Sequence, residues 1–537
     1  MIQKLKSDAP KKALALMLAL TTALGPTAMP AFAALKPAAK DPAAGFPTVT
    51  PIKHLVVIFQ ENVSFDHYFG TYPNATNPGG EPAFTAVPNT PVVNGLNNAL
   101  LTFNPNLNPA NGAGASNPFR LDHSQAVTSD QDHNYLAEQQ AFDAGLMDLF
   151  PLDTGSGGSS IVMGYYDGNT VTAEWNYAQN FALSDNSYGT TFGPSTPGVI
   201  NLTSGQTNGI AAMANAPTFE VSGGSDGSLT LIGDADPLGD VCSNPSRNQV
   251  TMGSTNIGDL LTAAHVSWGS FMGGFNLQTV NPNKSTGCTR SSTNLAGTTG
   301  DYIPHHSFFN YYASTANLNH TRPASIAEIG NAGPANHQYD LQDFFDAATA
   351  GNLPAVSFLK AAAVQDGHAG YSDPLDEQTF LVNTINFLQL LPTWKNTAVI
   401  IMYDDSDGWY DHQMGPIVNT STGLQDGLTS PGFCGTAANS LPGLNPANTH
   451  ALGRCGYGPR LPLLVVSPWA RQNFVDHSVT DQSSIIHFVE DNWLSGQRIG
   501  NGSFDTIANS IAQMFNFTRI RANGKLFLDP NTGEPLF

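Results

Sequence analysis

Two stretches far apart in the chain share one pattern, and together they constrain the fold more than any other feature. In the first, the apolar run Leu55 to Phe59 breaks into Gln60-Glu61-Asn62; in the second, Ala398 to Tyr403 breaks into Asp404-Asp405. Short, continuous apolar runs rich in β-branched residues read as strands buried on both faces of a parallel sheet. Ligands of open α/β sheets bind in the crevice beyond the carboxyl ends of the strands. Two strand ends carrying three carboxylates and a carboxamide therefore predict one divalent-cation site, built from Glu61, Asn62, Asp404 and Asp405. Taken singly, each acid is as readily a helix cap or a solvated turn residue. The two strand ends taken together favour the ion.

At 537 residues the chain is long for one domain, though large α/β domains reach several hundred. Charged residues are only 12 %, against 52 Gly and 37 Pro, so long polar turns are expected at the surface. The net charge is −21. Lys4, Lys6, Lys11 and Lys12 precede the apolar run Ala13 to Leu24 and the small-residue triplet Ala31-Phe32-Ala33. That is the pattern of an export signal, with cleavage expected after Ala33. The remainder would carry 17 basic and 41 acidic residues, a net of −24. Such a charge opposes non-specific binding to nucleic acid or to anionic membranes. No later stretch has the length and apolarity of a transmembrane helix. The expected location is periplasmic or secreted.

Four cysteines, Cys242, Cys288, Cys434 and Cys455, allow three pairings in an exported chain. The sequence-local choice, Cys242 with Cys288 and Cys434 with Cys455, would staple two loop-rich regions. No C-x2-C spacing suggests a zinc site.

Residues 34–50 read as an Ala- and Pro-rich linker, about 205–300 as a Gly-, Ser- and Asn-rich insertion, and about 413–460 as an irregular excursion. Leu136 to Phe150 has the spacing of one amphipathic helix, with His133 at its start. Thr172 to Phe181, Gln378 to Leu391 and Asp481 to Trp493 are further expected helices. Ala182 to Asp185 and Ala355 to Leu359 are expected strands, and Arg460 to Ser467 the last core strand. Gly193-Pro194-Ser195-Thr196-Pro197 forms a turn at a helix start. It sets Ser195 where free N–H groups and the helix dipole favour a phosphate. A capping role for that hydroxyl is the plainer alternative. His305 and His306 follow Pro304, and His368 lies beyond the carboxyl end of the Ala355–Leu359 strand.

The motifs Glu61-Asn-Val-Ser-Phe-Asp-His-Tyr-Phe-Gly70, Phe192-Gly-Pro-Ser-Thr-Pro-Gly198, Asp366-Gly-His368, Asp404-Asp-Ser-Asp-Gly-Trp-Tyr-Asp-His412 and Pro459-Arg-Leu-Pro462 resemble the bacterial phosphoesterases that include phospholipases C and an acid phosphatase branch. They run from about 54 to 493. The resemblance implies an alkaline-phosphatase-like α/β/α sandwich over residues 51–510, with 511–537 as a C-terminal extension. It implies Glu61, Asn62, Asp404, Asp405 and Ser195 as metal ligands, and Ser195 as the nucleophile. It also sets His133, His305 or His306, and His368 around the phosphate. Thr196 and Gly198 stand where phospholipase members carry His and Asn. Asp404-Asp-Ser-Asp-Gly408 stands where many of them have Asp-Glu-Asn-Asp-Gly. Both departures resemble the acid phosphatase branch.

The expected chemistry is attack by Ser195 on a phosphomonoester to give a phosphoseryl enzyme, with a protonated His, His368 for one, assisting the leaving group. One divalent ion, Ca²⁺, Mg²⁺, Mn²⁺ or Zn²⁺, is the expected cofactor. A phospholipase C acting on lipid head groups is the alternative, for which Tyr165, Tyr166, Trp175 and Trp409 are candidates for a choline cage. A non-catalytic, metal-stabilised secreted binding protein would use the same oxygens but leave the Ser195 turn and the histidines without a role.

Overall fold

The computed structural model describes residues 41–217, 219–223, 229–280, 286–435, 455–521 and 524–536. The export-signal reading, the first part of the linker and residues 436–454 of the excursion lie outside the described residues.

The scaffold is an eight-stranded sheet. Its strands in chain order are β1 (His54–Gln60), β2 (Ala182–Ser184), β3 (Trp268–Met272), β4 (Gln338–Asp340), β5 (Val356–Lys360), β6 (Thr397–Tyr403), β7 (Leu463–Val466) and β8 (Phe474–Asp476). In space they run β4-β3-β5-β1-β6-β7-β2-β8. All neighbours are parallel except β7, which is antiparallel to both β6 and β2. Every residue of β1 and β6 is buried. Successive side chains of a strand point to opposite faces, so both faces of the sheet are covered, as the unbroken apolar runs require.

Within each of two groups the helices touch one another, while α5 (Leu341–Thr349) lies against β3 and β4. One joins α2 (Thr172–Asn180) with α6 (Pro374–Leu390); the other joins α3 (Ser195–Ser204) with α4 (Ile257–Ala263) and α7 (Ser483–Trp493). The boundaries follow local chemistry. Asp373 caps α6 by accepting from the N–H groups of Leu375 and Asp376, and Pro374 opens it. Helix α3 ends at Gly205, whose φ of 64° suits glycine.

The single helix expected over Leu136–Phe150 is broken. Helix α1 stops at Phe142, after Tyr135, and a second short helix begins only at Phe150. Between them Asp143, Ala144 and Met147 take positive φ, Leu428 accepts from the Ala144 N–H, and Met147 is buried. Tertiary bonding of the break outweighs the helical spacing. Strand β3 lies within the stretch 205–300, yet pairs with β4 and β5 in the central sheet. Leu463–Val466 is not the last strand, because β8 follows it as the edge. The disulfides are Cys242–Cys288 and Cys434–Cys455. Residues 524–536 lie along α6, where Gln389 and Asn386 bond the Leu526 and Leu528 carbonyls. Among the described residues no helix is long and apolar enough to cross a membrane.

Candidate active site

Strands β1 and β6 are adjacent and in register, with Gln60 opposite Tyr403. Their next residues, Glu61 and Asp404, therefore leave the sheet side by side. Asp404 Oδ1 accepts from the Asn62 N–H at 3.1 Å and from the Asp405 N–H at 2.9 Å, which ties the two loops together. Asn62 takes a φ of 55°, a conformation Asn tolerates better than most residues. Glu61, Asn62, Asp404, Asp405 and Ser195 are all buried.

Helix α3 brings Ser195 onto this cluster. Its Oγ lies 3.0 Å from Glu61 Oε2, 3.1 Å from Asp405 Oδ2 and 3.4 Å from Asn62 Oδ1. A hydroxyl has one hydrogen to donate, so three acceptors compete for it. The Asn62 carboxamide oxygen likewise faces only acceptors. Separations of 3.0–3.4 Å match the oxygen–oxygen edges of a shell around a cation whose ligands stand about 2.1–2.4 Å away. The donor set thus fits a divalent ion. Without the ion, rotating the Asn62 amide satisfies the same atoms, its nitrogen then donating to Glu61 at 2.7 Å and its oxygen accepting from His368 at 3.2 Å.

Ser195 is the first residue of α3 rather than its cap; Pro194 holds the cap position and makes no side-chain bond. The helix start is not left open for an anion either. Asp234 accepts from both the Thr196 N–H and the Thr196 hydroxyl. Instead, the turn is clamped to the ligand loop. Glu138 accepts from the Gly193 N–H at 2.9 Å and from the Ser406 hydroxyl at 2.7 Å. Gly198, one turn into the helix, packs so tightly that any Cβ there would collide with the Asp404 carbonyl.

Lys360, the last residue of β5, is buried and pairs with both Glu61 and Asp404, 3.1 Å from Asp404 Oδ2. Burial alone would lower its pKa, but the surrounding carboxylates outweigh that, and it stays cationic. His306 Nδ1 lies 3.2 Å from Glu61 Oε1 and 3.8 Å from Asp366. Burial holds it well below its ordinary pKa, and so neutral. His305 turns away, toward Asp234 and Asp236. The two rings are nearly perpendicular. Of the two candidates, only His306 reaches the ligand cluster.

His133 Nε2 is 3.4 Å from Asn62 Nδ2, and its Nδ1 faces Asp407 at 3.2 Å. Burial would lower the His133 pKa, but Asp405 and Asp407 hold it well above the ordinary value. His368 stands 6.1 Å from His133, ring to ring, and stacks on Tyr371. Burial, with the neighbouring His133 charge, pushes it down to about 4. Of the two imidazoles, His133 is the one its surroundings favour in the charged form. The ligands are at most 2 % exposed, but exposure rises to 8 % at His368 and to 56 % at the Asp130 side chain, so the cluster opens to solvent past these two.

Lys360, Glu138 and Asp407 were not legible as site residues. Arg460 bonds Asp66 at 2.9 Å and Asp411 at 3.1 Å, and His412 bonds Asp66 at 2.6 Å, locking the segment after Glu61 to the segment after Asp405. Three of the four choline-cage candidates, Tyr166, Trp175 and Trp409, are buried in the core. Trp175 packs edge-on against Tyr72 and Phe84, while Trp409 stacks on His67 at 3.9 Å and Tyr166 meets that ring edge-on.

A model of the Phosphoesterase family matches residues 52–494, and the chain belongs to that family. Among curated relatives, non-hemolytic phospholipase C of Pseudomonas aeruginosa is 25 % identical over 447 residues, covering 82 % of this chain and 53 % of that protein. Phospholipase C B of Mycobacterium tuberculosis is 23 % identical over 459 residues, covering 82 % and 73 %. The chain thus spans about half the length of the Pseudomonas relative. A solved protein of the alkaline phosphatase superfamily from Vibrio parahaemolyticus aligns over 93 % of this chain and 78 % of its own, at 13 % identity and a TM-score of 0.28. That score is too low to define the fold, which the strand order above defines by itself.

Proposed function

We propose that the protein hydrolyses phosphoric esters through a phosphoseryl intermediate on Ser195. The observation that carries this is one hydroxyl, at the start of α3, facing two carboxylates and a carboxamide. A divalent ion held by Glu61, Asn62, Asp404, Asp405 and Ser195 would lower the hydroxyl pKa and neutralise phosphate oxygens. Ser195 gives its proton to a carboxylate it faces, Glu61 or Asp405, and attacks phosphorus in line; the bond from phosphorus to the leaving oxygen breaks, and that oxygen takes a proton from His133, the imidazole its surroundings favour in the charged form. Neutral His368 and His306 flank the ester, and water then cleaves the phosphoseryl bond.

For the substrate, the relatives' names favour phospholipase C-type cleavage of head-group phosphodiesters over the phosphomonoesterase expected from Thr196, Gly198 and Ser406. Export through residues 1–33 belongs to the same reading, and the two disulfides are consistent with it. Acid quenching during turnover of a labelled phosphate ester should trap label on Ser195. No label there, with turnover intact, sinks the covalent route. Rates on phosphatidylcholine and on p-nitrophenyl phosphate rank the two substrate classes, and a dominant monoester rate restores the phosphatase reading.

A further inference from the structure

The cations of this acidic protein are unevenly paired. Among the described residues, Arg120, Arg247, Arg290, Arg322, Arg460 and Arg498 each face a carboxylate. The other three described arginines, Arg471, Arg519 and Arg521, form no ion pair among the described residues; two of them lie over phenyl rings, Arg471 on Phe474 and Arg521 on Phe181. These three and Lys525 line one open groove of about 850 Å³.

The groove lies at a definite end of the molecule. Phe181 and Arg471 precede parallel strands β2 and β8, and Ala470 follows the antiparallel β7, so all stand at the amino ends of the parallel strands. Lys53 and Lys395 precede β1 and β6 at that same end. The ligand cluster stands at the opposite, carboxyl ends. Apolar side chains are interleaved with the cations: Ile520 is 41 % exposed, Phe517 is half-buried, and Trp469 donates its indole N–H to the Lys395 carbonyl. Asp41 bonds His54 at the head of β1, at this same end.

We propose that this end of the molecule is a docking surface for an anionic lipid bilayer. Arginine and lysine would meet lipid phosphates, while Trp469, Phe517 and Ile520 enter the interfacial layer, the pairing of side chains that such interfaces select. A soluble polyanion would use the charges but give the exposed Ile520 no apolar partner. The inference goes beyond the hydrolase reading and does not rest on it. Docking this way turns the Ser195 cluster outward, so the enzyme receives esters from solution or from a facing surface.

The net charge shapes the expected salt response. At about 10 mM salt the repulsion of the whole acidic protein reaches some 30 Å, whereas at about 150 mM it is confined to about 8 Å and the local contacts persist. Co-sedimentation with phosphatidylglycerol–phosphatidylcholine vesicles should therefore be strongest near 150 mM salt and weaker at both 10 mM and 1 M. Binding should fall at least tenfold in the exposed triple variant Arg471→Gln, Arg519→Gln, Lys525→Gln, and should fall also in Ile520→Ser. Turnover of p-nitrophenyl phosphate by vesicle-bound enzyme should match that of free enzyme. Equal binding to pure phosphatidylcholine vesicles, an unaffected and folded triple variant, or equally tight capture of soluble polyphosphate would overturn the proposal. Loss of soluble-ester turnover on binding would overturn the orientation.

Discussion

Lys360 and Asp404 meet at 3.1 Å although one ends strand β5 and the other follows strand β6, and these strands flank β1 on opposite sides. The lysine reaches across the end of β1 and on the way pairs with Glu61. It is a fixed cation inside the cluster of carboxylates proposed to receive a metal. Lys360→Met leaves Glu61 and Asp404 buried without it, at a cost of about 3–5 kcal/mol in metal-free protein. A divalent ion supplies the missing charge. The expected outcome is a lower melting temperature in chelator than wild type, and a larger gain than wild type on adding metal. Calorimetric scans with and without the ion check both.

Ser195→Ala removes the attacking oxygen and one ligand but keeps the helix, because the Ser195 side chain makes no capping bond. Turnover should fall by roughly a thousandfold or more, with an unchanged circular dichroism spectrum. Near-native turnover in a folded variant assigns the nucleophile elsewhere.

Arg460 is fully buried between Asp66 and Asp411 and also donates to the Asn94 and Asp185 carbonyls. Arg460→Met strands two carboxylates and should destabilise by about 3–5 kcal/mol. Urea unfolding measures the loss. A change within about 0.5 kcal/mol would show that the network is dispensable.

His412 provides the pH dependence. Burial alone would lower its pKa, but Asp66 outweighs that and raises it above its ordinary 6.5. A raised pKa means that the pairing contributes fully below about 6.5 and is lost as pH climbs through the folded value. His412→Asn should therefore cost about 1–3 kcal/mol at pH 5.5 and much less at pH 9. Thermal melts at the two pH values give the comparison; a gap that is constant or widens with pH contradicts the assignment.

Strands β1 and β6 were legible because they are unbroken apolar runs ending in ligand chemistry, and parallel pairing then brought Glu61 and Asp404 together. Strand β3, Trp-Gly-Ser-Phe-Met, was not. Its Gly269 leaves room for the rings of Phe271 and Tyr339, so its burial comes from neighbours rather than from its own apolarity. Lys360 at a strand end reads as solvated, and only the strand order reveals its partners. Glu138 lies in α1 with nothing nearby in sequence to mark it, since its partners are Gly193 and Ser406. His305 and His306 are alike in sequence; the tight turn at Pro304–His306 sends their rings in different directions.

The glycine at 198 acts as a spacer of zero thickness. Helix α3 rests at that point directly on the Asp404 main chain, so the reach from the Ser195 hydroxyl to the carboxylates is set by backbone touching backbone. A methyl group there would act as a shim, lifting the whole first turn of the helix while leaving Glu61, Asn62 and Asp405 where they are. The expected result is a folded protein whose serine no longer reaches the carboxylates it now faces.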